Sequence, residues 1–554
     1  LKKTLLYLLF ITAVTVIIYC PSVSDQFMWD DHTIIVGNPA LRASSPIQFF
    51  AQTYIPPTHT LDTPPYYRPM IIIWFWIQYN VWGLNAFGFR LFNIAFYLAI
   101  ILVFFAFCKK CFKNSEPALL ATAIFAFLPF HLESVAFISG LTDISAILFI
   151  ILSIIAFDSE KKWAQFVIAP VLFAFALFSK ETAVAGFLLF PIWLFWLKKK
   201  SLKESILHSL PFLVPLAAYF SLRFWVLGYS SSGIPENILE KILMAPYILL
   251  RYIQLMVFPI DSSPLHNETF QTFPLIFWIL WIVILVTLAV FCVRFLKDRK
   301  IWFGIIWVLL FIAPALGIVI SLGPSRPDRF AFIPSAGSSL ILGYYLCIFF
   351  SKRLFRSRRI TKLLGFSYLL MLVLITASYS SWWNNGWNLY EKMIIDVPKS
   401  PIGYAGIARK FHAIGEYDSS LVYLELALER DSLHIPSLMS INKVLIISGR
   451  YGEISKYSEK MIRRYPNYSI GYLASGYTNL WHGDTAKAVA MVVKATETVP
   501  FDPWTWLDAG EFFVMCGDTS KAIFFFNRAA QLLPDNKYIA NRAEIVRHSL
   551  DDGR

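Results

Sequence analysis

Two adjacent carboxylates, Asp30 and Asp31, follow the aromatic run Phe27-Met28-Trp29 and precede His32. They lie a few residues beyond an apolar stretch that runs from Thr4 to Tyr19. One such carboxylate can take a proton from a hydroxyl as a general base. Its neighbour can raise its pKa by like-charge repulsion, or hold a basic partner. A turn or helix N-cap is the plain structural alternative, and Asp-Asp suits that equally well. Cations recur at comparable places: Arg68, Lys180, Arg223, Arg326 and Arg329 all fall near the ends of apolar runs. Grouped cations near lipid are costly and seldom incidental, although each alone can snorkel or close a structural ion pair. His131, Glu133, Asp143 and Glu181 complete the polar set. His131 by itself reads more readily as a satisfied polar residue than as a ligand. No His/Cys cluster has metal-ligand spacing, so the sequence itself gives no metal site and no cofactor is expected, without excluding a divalent ion. Nor does a phosphate-cradling glycine loop follow a strand, which argues against a nucleotide site.

The elements that must position these residues are apolar. Of 554 residues, 57% are hydrophobic and 15% are charged, against roughly 25% charged in a soluble domain. The deficit is confined to residues 1–380, read as a membrane body; the remainder resembles an ordinary soluble sequence. A span needs about 20 apolar residues. Runs near 4–20, 88–108, 117–131, 140–157, 165–179, 182–197, 208–226, 274–294, 301–320, 331–350 and 363–380 supply about 11 candidates. The net charge of +13 comes largely from short loops such as Lys198-Lys199-Lys200. That is the positive-inside pattern, so the charge records topology and not nucleic-acid binding.

With Lys2 and Lys3 cytoplasmic, the basic loops alternate correctly. Everything after Tyr379 is then expected on the periplasmic, extracellular or lumenal side. The first run is read as a retained span, because no small-x-small cleavage site follows it. Residues 241–258 are also apolar, but both ends fall outside, which implies a re-entrant or surface-lying segment. The first outer loop, 21–87, is too long for a simple connector. Six cysteines, Cys108-x-x-Cys111 among them, form no disulfide framework.

Beyond a connector at 381–399, residues 400–554 carry an internal repeat. Gly415, Gly449, Gly483 and Gly517 recur at a 34-residue period, and Pro466, Pro500 and Pro534 keep it. A 34-residue period with a mid-repeat glycine turn is the tetratricopeptide signature. Ala427, Ala488, Ala522 and Phe526 are the expected interlocking residues. Such stacks build a concave surface that takes extended peptides; the plainer alternative is a stabilising or dimerising role.

Several further segments stand in order along the chain: Tyr67-Arg68-Pro69, Leu128-Pro129-Phe130-His131-Leu132-Glu133, Gly140-Leu141-Thr142-Asp143, Ser179-Lys180-Glu181 and Asp328-Arg329-Phe330-Ala331-Phe332-Ile333-Pro334-Ser335-Ala336-Gly337. Together with the repeats, this series resembles the transmembrane and tetratricopeptide-repeat O-mannosyltransferases and their prokaryotic relatives, of the GT-C class. The resemblance implies an all-α, multispan GT-C body with a repeat solenoid. It also implies sugar transfer from a polyprenyl phosphate to an outer-face acceptor, with Asp30-Asp31 matching the acidic motif that carries the base. His131, Glu133, Lys180 and Glu181 match polar outer-loop positions. Arg329 opens the family's Arg-Tyr-x-Tyr-x-Pro-Ser-x-Gly pattern, with Phe330 and Phe332 in place of both tyrosines. Leu141 and Thr142 stand where the family often has Arg-Lys, and Arg90 where it often has histidine.

The expectation is therefore an inverting transferase that mannosylates Ser or Thr of a protein acceptor held by the repeats. A glycolipid or polysaccharide acceptor is the first alternative, and a non-enzymatic envelope scaffold the second. Charged residues collect on one face and not at mid-span, which argues against a transporter.

Overall fold

The computed structural model describes residues 2–42, 45–54, 66–228, 237–266, 273–318, 327–351, 358–533, 538–539, 541–542 and 544–545. Among these, every regular element is helical. The chain divides into two compact units. The first holds residues up to Asp31, 45–54 and 66–397; the second joins the segment that begins at His32 to the chain from Pro398 onward.

In the first unit, seven helices are long and apolar enough to cross a membrane: Lys2–Ser22, Ala86–Phe112, Ile138–Phe157, Leu202–Leu227, Leu275–Arg294, Arg299–Leu316 and Arg359–Trp383. Each coincides with an expected span. The other four expected spans are shorter apolar helices, Ser115–Ala126, Ala164–Ser179, Glu181–Leu197 and Ser335–Phe350, so helix length does not establish the expected count of about 11. The reasons are local. Ser115–Ala126 stops short of Pro129, and Ser335–Phe350 begins only after Pro334. Glu181–Leu197 starts as a tight 3-10 helix and ends in a wide π turn, so it is not one regular rod.

The first outer loop is partly helical. Pro69–Trp82 starts on its proline and buries Met70, Ile71, Ile72 and Phe75. Proline is favoured there because its missing N–H and fixed φ suit the first helical turn. Ile238–Val257, the segment expected to be re-entrant or surface-lying, is an amphipathic helix. It buries Met244, Ile248, Leu249, Tyr252 and Met256 and exposes Leu239 and Ile242. The expected connector is ordered too: Ser381–Trp383 forms a 3-10 turn, and Gly386–Asp396 is a helix capped by Asn385.

The second unit stacks antiparallel helix pairs: Pro401–Ala413 with Tyr417–Arg430, Ile435–Ile447 with Ser455–Arg464, Ser469–Trp481 with Thr485–Thr498, and Pro503–Met515 with Thr519–Leu532. Gly415, Gly449, Gly483 and Gly517 end the first helix of each pair at φ of 81°, 69°, 82° and 71°. The following N–H reaches back each time to a carbonyl in the last turn, as from Asp484 to Asn479 at 3.0 Å. Only glycine enters this left-handed C-terminal motif without a Cβ penalty. Ala427, Ala488, Ala522 and Phe526 are buried between the helices.

Candidate functional site

Trp29 has φ of 51°, a left-handed conformation that a bulky side chain adopts only under constraint. Two contacts hold it there. Its N–H donates to the Tyr390 hydroxyl at 3.2 Å, and its ring lies 5.9 Å from that of Phe137. Beyond this turn the two carboxylates part: Asp30 is exposed, whereas Asp31 is fully buried. Asp31 accepts hydrogen bonds from Ser139 N–H at 3.1 Å, Ser139 Oγ at 2.8 Å and Met28 N–H at 3.2 Å. Burial pushes its pKa up to about 6, against the opposing pull of Arg90 and these hydrogen bonds. Arg90, itself buried, donates to the carbonyls of Ala136 at 3.0 Å and Ser24 at 2.8 Å. Asp31 is thus the anchor of the loop, and Asp30 is the carboxylate it presents.

Ser139 sits on the tight turn Ile138–Gly140. A Cβ on Gly140 would fall 2.2 Å from the Ser134 carbonyl oxygen, so the close approach of these turns requires glycine.

Three of the candidate cations are each held by a carboxylate. Arg68 makes a two-pronged bond to Glu181, at 2.9 and 2.6 Å, and its guanidinium lies over the rings of Tyr66 and Tyr54 at 4.4 and 5.1 Å. Lys180 pairs with Asp143 at 2.5 Å and lies 5.7 Å from the centre of the Phe330 ring. Burial lowers the Lys180 pKa, with Asp143 opposing. Glu133, fully buried, accepts from the Arg329 N–H at 2.9 Å and from its guanidinium at 3.2 Å. Burial lifts the Glu133 pKa to about 8, with Arg329 opposing and Asp328 adding to the rise. Asp328 is occupied by Ser263 N–H at 2.7 Å and His266 at 2.8 Å. Arg223 is half-buried, with Nη1 unbonded among the described residues; it shares the surroundings of Tyr219 with Glu181 and Arg68. Arg68, Asp30, Asp31 and Arg329 all lie within electrostatic range of Tyr54. Both carboxylates and two cations therefore gather around one side chain.

Three expected residues stand apart. Arg326 lies outside the described residues. His32 is exposed and opens the second compact unit. His131 is fully buried, bonded to Tyr97 at 2.9 Å and Ser335 at 2.7 Å between the rings of Phe125 and Phe332. That is a satisfied core histidine. Among the described residues no three His, Cys, Asp or Glu side chains group so as to hold a metal ion. Sequence reasoning missed Arg90 as the countercharge of Asp31; the available signal was a lone arginine inside an apolar run. Ser139 and Tyr390 gave no signal at all.

Residues 62–225 match a family described as dolichyl-phosphate-mannose-protein mannosyltransferase. A protein O-mannosyl-transferase of Caenorhabditis elegans is 24% identical over 405 residues, which cover 69% of this chain and 57% of that protein. A human protein O-mannosyl-transferase is 31% identical over 144 residues, 25% of this chain and 16% of the relative. The chain thus spans little more than half the length of the first of these relatives. Among solved structures, an archaeal oligosaccharyltransferase of Archaeoglobus fulgidus, in complex with an inhibitory peptide and a dolichol-phosphate, aligns at 15% identity and a TM-score of 0.39. That alignment covers 76% of this chain and 60% of the archaeal one.

Proposed function

We propose that this chain, similar along residues 62–225 to dolichyl-phosphate-mannose-protein mannosyltransferases, is an integral membrane glycosyltransferase. In this reading it moves a hexose, mannose by analogy with its relatives, from a polyprenyl phosphate to a Ser or Thr hydroxyl of a protein at the non-cytoplasmic face. The observation that carries the reading is the parting of Asp30 and Asp31: one carboxylate is exposed for chemistry and the other is buried to hold it in place.

The steps balance. Asp30 takes the proton of the acceptor hydroxyl, and the acceptor oxygen bonds to the anomeric carbon. The bond from that carbon to the phosphate oxygen breaks, and polyprenyl phosphate leaves with the electron pair. Cations stabilise the charge that develops on the leaving group. Arg68, Lys180 and Arg329 are held for this by Glu181, Asp143 and Glu133. Arg223, with an unbonded Nη1 among the described residues, adds a further cation. With Asp31 anchored away from solvent, a second nucleophilic carboxylate is missing from the pair. Direct displacement with inversion then follows, by the logic that assigns retention to two close reactive carboxylates. The repeat unit holds the acceptor peptide.

The test is transfer from polyprenyl-phosphate hexoses to Ser/Thr peptides by the purified full chain. Asp30→Asn is expected to cut turnover by about 10²–10⁴-fold, the usual worth of a general base, with donor affinity unchanged. Equal turnover in wild type and Asp30→Asn would remove Asp30 from the chemistry. Transfer to glycolipid but not to peptide would replace the proposed acceptor.

A further inference from the structure

Tyr54 follows the 3-10 turn Pro46–Ala51, and its N–H donates to the Tyr66 carbonyl at 2.8 Å. The side chain is 2% exposed, and its hydroxyl has no hydrogen-bond partner among the described residues. Native proteins pair nearly all buried polar side-chain atoms, and an exception calls for an explanation. Phenylalanine would fill the same space without that cost. A neighbouring tyrosine shows the ordinary outcome: the Tyr67 hydroxyl donates to the Phe50 carbonyl at 2.9 Å.

The surroundings of Tyr54 indicate what the hydroxyl is for. Its ring carries the Arg68 guanidinium on one face at 5.1 Å. Arg68, Asp30, Asp31 and Arg329 are its charged neighbours. Burial raises the phenol pKa, so the group remains an O–H donor across the physiological range. Two guanidinium groups and an unused O–H donor suit a ligand rich in acceptor oxygens. A phosphate ester is such a ligand. A neutral acceptor hydroxyl would instead seek the exposed carboxylate of Asp30.

We propose that Tyr54 is a ligand-contacting residue of this site, its phenolic O–H donating to a phosphate oxygen of the lipid-linked donor between Arg68 and Arg329. The proposal rests on the lipid-phosphate reading of the site and adds to it the residue that fixes the phosphate beside Asp30.

Affinity for polyprenyl phosphate, the sugar-free leaving group, is measured on the full chain in nanodiscs, with inorganic phosphate as a parallel probe. Tyr54→Phe keeps the ring under Arg68 and removes only the hydroxyl. It is expected to weaken polyprenyl phosphate binding about tenfold or more, the worth of a hydrogen bond to a charged group, without lowering the thermal midpoint. Tyr67→Phe, which also deletes a hydroxyl, is expected to leave the affinity as it was. Unchanged affinity in Tyr54→Phe, with the wild type binding well, overturns the assignment of Tyr54 and leaves the donor reading intact. A lowered thermal midpoint with unchanged affinity makes the hydroxyl structural and overturns it as well. Inorganic phosphate bound as tightly as the lipid, with the same loss in Tyr54→Phe, overturns the lipid assignment. A wild type that binds no polyprenyl phosphate overturns both the donor reading and the role of Tyr54.

Discussion

At the scale of single residues, burial decides which carboxylate does what. Asp31 and Glu133 are both enclosed, and both have pKa values above the ordinary range, at about 6 and about 8. A carboxyl whose folded pKa is raised binds its proton more tightly in the folded state. Its contribution to stability is therefore complete below the unfolded pKa and lost as pH rises through the folded value. The thermal midpoint of the detergent-solubilised protein is expected to fall between about pH 4 and 8, with Asp31 acting in the lower part and Glu133 in the upper. Glu133→Gln should flatten the upper part, because a neutral amide replaces a neutral acid. An unchanged slope in that variant would show that Glu133 does not titrate there. Asp31→Asn removes one of the acceptor oxygens to which Ser139 and Met28 donate, and a buried donor left unsatisfied costs about 1–3 kcal/mol. Chemical denaturation of that variant against Asp30→Asn, where little change is expected, separates the buried carboxylate from the exposed one.

At the scale of elements, close approach sets the tolerances. Gly140→Ala would drive a methyl group into the Ser134 carbonyl and displace Ser139, the main hydrogen-bond donor to Asp31. Overpacking of this kind costs about 1–3 kcal/mol, and peptide transfer should fall more than stability does. Normal turnover in a folded Gly140→Ala protein would show that Ser139 does not position the loop. In the repeats, Gly483 has open space around its missing Cβ but φ of 82°. Gly483→Ala is expected to cost about 1–2 kcal/mol through backbone conformation alone.

These two glycines also show how unevenly the structure could be read from sequence. Gly483 was legible because its role repeats every 34 residues, and periodicity reveals what recurs. Gly140 was not, because the clash it avoids is with one carbonyl, in a fold of turns that no period describes. The apolar runs marked where spans fall, since hydrophobic length is a property of the chain itself. Their ends were less readable, because prolines cut two of them short and a third changes helix type along its length. Of the site, the charged residues were legible as types at outer ends. The burial of Arg90 near Asp31, and the parting of Asp30 from Asp31, were not, since both follow from tertiary burial and from a left-handed Trp29.

At the scale of the molecule, two compact units share one chain. Their unfolding is expected to give two separate transitions in calorimetry of the full protein, as multi-domain chains usually do. Gly483→Ala should lower only the transition of the repeat unit, and Gly140→Ala only that of the membrane unit. A single transition moved by both substitutions would show one cooperative block.

The four glycine turns have a further consequence, for how such a protein changes over generations. Each turn closes its own helix pair, and in a stack of this kind each pair contacts only its neighbours. Gain or loss of one 34-residue unit within the array therefore creates no new kind of interface. A gene can lengthen or shorten the array stepwise, by unequal recombination, without altering the loop that carries Asp30.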